Sequence, residues 1–445
     1  MFRDILKRNR FFFKEHIVKP AEIVKKLNNG AYNARFEALY GADEVEKQTQ
    51  RYLKATELIP KELANKDFTI FSNPGRTELA GNHTDHNHGC VLAASVQLDL
   101  LAFAFKRDDT VVEIFSEGYP PAIVDIKDIE KKESEKGTTE ALIRGIAARL
   151  KHLEYKVGGF SAYTTSNVPG GSGLSSSAAV EDLIGNIFSV FYNNKKIDPV
   201  TIAKAGQWAE NNYFDKPCGL MDQIACAYGG IVAIDFADPQ NPVINDVQFS
   251  FKKYGYDLLV VNTGGSHADL TDEYAAVPAE MKSVAKLFGQ PYLRGLTVTD
   301  LMLRSVEIRN KCGDRAFLRA LHFINENERP IKMVEALKAN RIVDYLKLVK
   351  KSGLSSWRFL QNCTSVKDIQ HQGVTTALAV TEQFFIDHGP GSIGVCRVHG
   401  GGFAGTIQVY IKSEYTGAYT RFMENMFGIG SVTPIKIRSE GTTVV

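Results

Sequence analysis

The chain has 445 residues, more than one hydrophobic core of roughly 250–300 residues accommodates, so two domains are expected. Composition is that of a globular protein, 44% hydrophobic and 23% charged, and a net charge of +2 gives no reason to expect nucleic acid or an acidic membrane surface as a partner. Six cysteines (Cys90, Cys218, Cys226, Cys312, Cys363 and Cys396) are scattered without a CxxC pair, which reads as reduced thiols in a cytoplasmic protein and excludes a disulfide framework.

Residues 1–67 carry apolar positions at helical spacing among many charges. The run Phe11 to Phe13 is flanked by charges, and no stretch reaches signal-peptide or membrane-span length. FTIFSNPGR reads as a strand that Pro74-Gly75 breaks. The apolar segment 90–118 reads as two strands with Asp108-Asp109 in a hairpin turn. ALIRGIAARLKHL reads as a helix and GFSAYTTSNV as a strand, followed by a Gly- and Ser-rich turn entering an amphipathic helix. After a helix over 200–214 and a polar island at Cys218–Gly229, GIVAIDF reads as a strand. The pattern restarts at about Asp257 with a strand, a helix and several charged helices over 300–350. VCRVHGGGFAGTIQVYI reads as a strand, a glycine loop and a second strand or helix. The mixture indicates an α+β protein with domains 1–255 and 256–445.

Four segments carry chemistry. In PGGSGLSSSAA, glycines let backbone amides approach an anion, and the helix that follows directs free N–H groups at the loop. A serine-capped helix after a flexible turn is the plainer alternative. In CGLMDQIACAYGG, Asp222 is a proton acceptor or a helix cap. Glu210 is a solvated helical carboxylate, or a Mg2+ ligand if the fold brings it to the loop serines. NPGRTELAGNHTDHNHG crowds Arg76, His83, Asp85, His86 and His88 together, which suits the hydroxyls of a polyol better than a metal. RVHGGGFAG implies close backbone approach to a ligand or another loop, or a mobile turn.

Together the four resemble one family. GRTELAGNHTDHNHG resembles the galactokinase signature, PGGSGLSSSAA and HGGGFAG resemble the second and third motifs of the GHMP kinase superfamily, and CGLMDQ resembles the galactokinase segment with the catalytic aspartate. The resemblance runs in order over residues 70–410. It implies an N-terminal domain like ribosomal protein S5 domain 2, a C-terminal ferredoxin-like domain and an active site in the cleft between them. It further implies an ATP-dependent sugar 1-kinase with Mg2+. Asp222 matches the catalytic base and Arg76 the arginine that stabilises the transition state. Gly171, Ser172, Gly173, Leu174, Ser175, Ser176 and Ser177 match the ATP loop, and Ser177 and Glu210 the metal ligands. Asn82, His83, Thr84, Asp85, Gly219 and Tyr274 match sugar-binding positions.

The family usually has GRVNLIGEHTDYN, so here Glu78 replaces Asn, Asn82 replaces Glu and His86 replaces Tyr. A neutral amide at 82 is expected to make the sugar site more permissive, which keeps galacturonate, arabinose or an amino sugar open beside galactose. A non-catalytic sugar sensor is the rival of another class, although Asp222, Glu210 and the loop serines are all in place. The expected partners are a sugar and ATP, with no nucleic acid and no membrane, and a monomer is the expectation.

Overall fold

The computed structural model describes residues 18–63, 65–170, 173–216, 218–265, 270–389 and 393–445. The described residues open with helices α1 (Pro20–Asn28), α2 (Asn33–Tyr40) and α3 (Val45–Ala55). Strands β1 (Thr69–Ala80), β2 (Cys90–Lys106), β3 (Val111–Ser116) and β4 (Ala122–Asp125) follow. Next come α4 (Thr139–His152), β5 (Phe160–Ser166), α5 (Ser176–Asn193) and α6 (Pro199–Ala209), which runs into a π-helical turn, Glu210–Phe214. Then come α7 (Met221–Tyr228), β6 (Ile231–Asp235), β7 (Val243–Val247) and β8 (Tyr256–Asn262). Six further helices are α8 (Thr271–Leu287), α9 (Val298–Leu303), α10 (Ser305–Cys312), α11 (Asp314–Lys338), α12 (Ile342–Ser355) and α13 (Gly373–His388). The chain closes with β9 (Gly394–His399), β10 (Thr406–Lys412), α14 (Thr416–Phe427), β11 (Val432–Ile435) and β12 (Thr443–Val444).

The strands form two sheets in an α+β arrangement. The first has eight strands in the order β12-β1-β2-β5-β3-β4, with β6 and β7 continuing from the near end of β2. The second has four strands in the order β11-β8-β10-β9. Two expectations are corrected here. Strands β2 and β3 are not a hairpin: β5 lies between them, antiparallel to β2 and parallel to β3. And Pro74-Gly75 does not end the strand. β1 continues through it with a register shift between Pro74 and Arg76, an irregularity of the kind at which strands accommodate proline.

Strand β2 is apolar on both faces, and each face has its own cover. Leu100, Ala102 and Ala104 pack with Leu183, Ile187 and Ile202 of α5 and α6. Leu101, Phe103 and Phe105 pack with Ile23, Phe36, Tyr40 and Tyr52 of α1–α3. Burying each such side chain contributes about 1.5–3 kcal/mol, so the N-terminal helices are a required layer of the first sheet. The predicted helicity of residues 1–17 lies outside the described residues. Asp99, fully buried on β2, fastens both ends of the chain: Arg51 reaches it at 2.5 Å, Arg438 at 3.4 Å and the Tyr40 hydroxyl at 2.6 Å.

The second sheet alternates in the same way. Leu258 and Val260 join a core with Leu79, Leu92 and Val96 of the first sheet, while Leu259 and Val261 face α13 and α14. The shared core locks the far half of β1 beside β9 and β10. All six cysteines are free thiols. Among the described residues no helix is long and apolar enough to cross a membrane.

Candidate active site

The bulge in β1 sets the first contact. Beyond it, the Arg76 backbone N–H donates to Leu174 O at 3.0 Å. Gly75 permits that approach, because a Cβ there would stand 2.6 Å from the same carbonyl oxygen. Leu174 anchors the loop by its buried side chain, which lies in the core shared by the two sheets. Gly173, with φ +70, passes so close to the second sheet that a Cβ would lie 2.9 Å from Thr406 Oγ1 and 3.1 Å from His399 Nδ1. Gly171 and Ser172, expected in the same loop, lie outside the described residues.

Ser175 ends the loop in the left-handed region, φ 57, a strained conformation for a residue with a side chain. It precedes α5 but makes no side-chain cap. Its hydroxyl donates instead to Asp222 Oδ2, which overturns the plainer reading of a serine-capped helix. Ser176 and Ser177 open α5 half-buried, in the turn whose first N–H groups have no intrahelical partner.

Asp222 lies in the first turn of α7, and its carboxylate does not cap that helix. Arg76 grips it with two bonds, Nε to Oδ1 at 2.7 Å and Nη2 to Oδ2 at 2.6 Å, while Arg76 Nη1 donates to Gly173 O. Burial resists ionisation of Asp222, but the Arg76 charge, its hydrogen bonds and Ser175 outweigh it and hold the carboxyl below its usual range. Asp85 sits across the site. A Cβ on Gly219 would lie 1.7 Å from Asp85 Oδ2, so only glycine leaves room for that carboxyl. Burial, and then repulsion from Asp222, push the Asp85 pKa up to about 7. Two carboxyl groups in one site are thus pushed apart, one kept ionised and one able to donate as well as accept.

The signature segment and the third glycine loop interlock. His83 donates from Nε2 to Gly401 O at 2.8 Å, and the Tyr274 hydroxyl donates to Gly402 O at 2.7 Å. Tyr274 also lies edge-on to Phe403. The Asn82 amide donates to Gly400 O at 2.6 Å and to the Glu78 carboxylate at 3.2 Å. Its carbonyl accepts from Asn362 at 2.8 Å and Ser356 at 3.3 Å.

Two expectations fall with that arrangement. Asn82 is fully buried with its donors and acceptor in use, so it offers nothing to a sugar hydroxyl. Thr84 is fully buried too, and its hydroxyl bonds Gly81 O at 2.9 Å and Cys90 O at 2.8 Å, which shapes the turn. The exchange of Asn and Glu between positions 78 and 82 has a structural reason. Glu78 forms a buried ion pair with Arg397 of β9, and Asn82 supplies the N–H that a carboxylate could not.

Glu210 terminates α6 at the π-helical turn, a distortion frequent at functional sites. Its carboxylate is buried, bound by Lys216 Nζ at 2.9 Å and Gln223 Nε2 at 3.1 Å. The same Gln223 amide donates to Glu181 Oε2 at 2.9 Å. Glu181 lies one turn beyond Ser177 on α5, on the same face, and its other oxygen is buried without a partner. The fold therefore brings Glu210 to the helix that carries the loop serines. No hydrogen bond joins Glu210 to Ser177 directly.

Hard oxygen donors and an unpartnered carboxylate oxygen suit Mg2+, which takes one or two carboxylates and draws its other ligands from phosphate and water. Glu181, Lys216 and Gln223 were missed in the sequence. The signals were there: Gln223 adjoins Asp222, and Glu181 stands four residues after Ser177.

The geometry agrees with comparisons to known proteins. The family model for the GHMP kinases N terminal domain matches residues 141–230, and the galactokinase galactose-binding signature matches residues 61–106. A galactokinase from Actinobacillus pleuropneumoniae is 29% identical over 373 residues, 80% of this chain and 90% of the relative. One from Streptomyces coelicolor is 28% identical over 362 residues, covering 80% and 88%. Among solved structures, Lactococcus lactis galactokinase complexed with galactose shares the fold with a TM-score of 0.72 at 23% identity, over 93% of this chain and 98% of that one. A mevalonate kinase matches with a TM-score of 0.55 at 15% identity, over 84% and 97%. The glycine loop, the Arg76–Asp222 pair and the interlocked signature segment thus lie in a chain that is similar to the GHMP kinases and, among them, to the galactokinases.

Proposed function

We propose that the chain is an ATP-dependent sugar kinase that transfers the γ-phosphoryl group of ATP to the anomeric hydroxyl of galactose. The observation that carries this reading is the single cluster of Arg76, Asp222 and Ser175, with the glycine loop on one side and the Asp85–Gly219 contact on the other. Backbone amides at the start of α5 receive the phosphates. Asp222 orients the acceptor hydroxyl and takes its proton late. A strong base is not needed for a loose phosphoryl transfer, so the low basicity that Arg76 imposes is tolerable. Arg76 faces the charge on the moving phosphoryl group. Asp85, His83 and Tyr274 line the sugar side. Ser177 and Glu210 would hold Mg2+, which would supply neutralisation of the triphosphate charge.

Because position 82 contributes no contact to the sugar, a second reading stays, a kinase for another galactose-configured sugar. With that side chain turned into the protein, His83, Asp85 and Tyr274 carry the discrimination. The free state of all six thiols supports a reducing, cytoplasmic setting. An ADP-release assay over galactose, galacturonate, arabinose and galactosamine tests the reading. Turnover highest on galactose supports it, turnover highest on another sugar of the panel selects the second reading, and ATP binding without turnover on any sugar returns the sensor.

A further inference from the structure

The Glu210 carboxylate already carries a cation, and the cation belongs to the protein. Lys216 follows the π-helical turn, closing it with its backbone N–H on Glu210 O at 3.1 Å. Asp215, at φ 69, reverses the chain and is held by Lys131 at 3.1 Å and Lys136 at 2.8 Å. That fixed reversal delivers the Lys216 side chain back over the carboxylate six residues earlier. The two partners are unequally buried: the Lys216 side chain is 61% exposed, that of Glu210 only 4%. The ammonium can therefore leave for water on its flexible stem, while the carboxylate cannot move.

A second observation points to a ligand at this place. Glu210 and Glu181 share one neutral amide, Gln223 Nε2, and the remaining oxygen of fully buried Glu181 has no partner. Among the described residues Lys216 is the one cation in an ion pair with Glu210, and Glu181 has none. One ammonium serves this pair of buried carboxyl groups, and the unpartnered Glu181 oxygen leaves a further oxygen donor for a divalent cation.

We propose that Lys216 is a standing counter-ion at the metal position, which occupies Glu210 while the site is empty and must be displaced before Mg2+ can bind there. The inference rests on the reading that Glu210 takes the metal of the nucleotide complex. It makes the free site a poor one for a bare divalent ion, because the metal has to break the 2.9 Å ion pair first. Metal and nucleotide then arrive together, and Glu210 is kept from capturing an ion that has no triphosphate to work on.

The test is a titration with Mn2+ in the absence of nucleotide, read as free Mn2+ by electron paramagnetic resonance. Lys216→Met keeps the length and removes the charge. It is expected to bind Mn2+ about tenfold tighter than the parent, equivalent to about 1.4 kcal/mol, and Lys216→Gln should do the same. The gain should vanish in Lys216→Met combined with Glu210→Gln. The proposal is overturned if neither Lys216 variant binds Mn2+ more tightly, or if the gain survives loss of the Glu210 charge. Failure of the underlying reading shows differently: Glu210→Gln would then leave the Mg2+ requirement of turnover unchanged.

Discussion

Gly219→Ala is the sharpest perturbation of the site, because it adds one methyl group at a known place. The new Cβ would stand 1.7 Å from Asp85 Oδ2 and 2.6 Å from Asp85 Cγ. Ordinary contact is near 3.5–4.0 Å, so the carboxyl must retreat by on the order of 2 Å. It cannot do so without cost, since Asp85 Oδ1 accepts from the His86 N–H at 2.9 Å. Overpacking of this kind costs about 1–3 kcal/mol of stability, which a two-domain protein of this size survives. The catalytic effect is larger. Misplacing a positioning group by ~1 Å can cost ~10²-fold, so kcat/KM for the sugar should fall by at least that much. The KM for ATP should change little, because the glycine loop is untouched. A double-mutant cycle with Asp85→Ala isolates the route. Once the carboxyl is gone, the added methyl has nothing to displace and Gly219→Ala should cost little more. Full additivity of the two losses would refute the claim that Gly219 acts by making room for Asp85.

Three further outcomes follow from the same geometry. Asn82→Glu sets a second carboxylate against Glu78 in a fully buried place and removes two donated hydrogen bonds. It should lose about 3–5 kcal/mol in urea denaturation, part of it regained by adding Glu78→Asn; a variant as stable as the parent contradicts the buried network. Asp85 has a folded pKa pushed up to about 7, against an unfolded value near 4, so between those pH values the folded state binds more protons and its stability falls as pH rises. Asp85→Asn should therefore gain Tm relative to the parent between pH 5 and pH 8, and an unchanged difference would remove the raised pKa from the account. Gly75→Ala must push back Leu174 O, which a Cβ would meet at 2.6 Å. It should raise the ATP Kd by roughly tenfold while leaving sugar binding, measured by calorimetry, as in the parent.

The motifs were legible because each is local. A glycine loop running into a helix and a carboxylate on a short polar island are read within a dozen residues, and Ser175 and Arg76 join the two in the fold. What was not legible depends on pairing across the chain. Nothing near Asp108-Asp109 says that β5, some fifty residues later, will part β2 from β3. Pro74-Gly75 looks like a breaker because a bulge within a strand is defined by its partner strand. Asn82 was placed against the sugar by the family pattern. Its burial follows from Glu78 meeting Arg397, 319 positions away. The N-terminal helices gained a purpose only when β2 proved apolar on both faces. Lys216 reads as a solvated lysine until the π-helical turn folds it back onto Glu210.

The central claim is that the Arg76–Asp222 centre phosphorylates the anomeric oxygen of the sugar. The most direct test is a phosphorus NMR time course with ATP, Mg2+ and galactose, run on the parent and on Asp222→Asn, with ATP affinity measured alongside. The account predicts a product phosphorus coupled to the anomeric proton, formed ~10²-fold or more slowly by the variant, with ATP affinity retained. A phosphate on another carbon, or an Asp222→Asn variant that turns over at the rate of the parent, would contradict it.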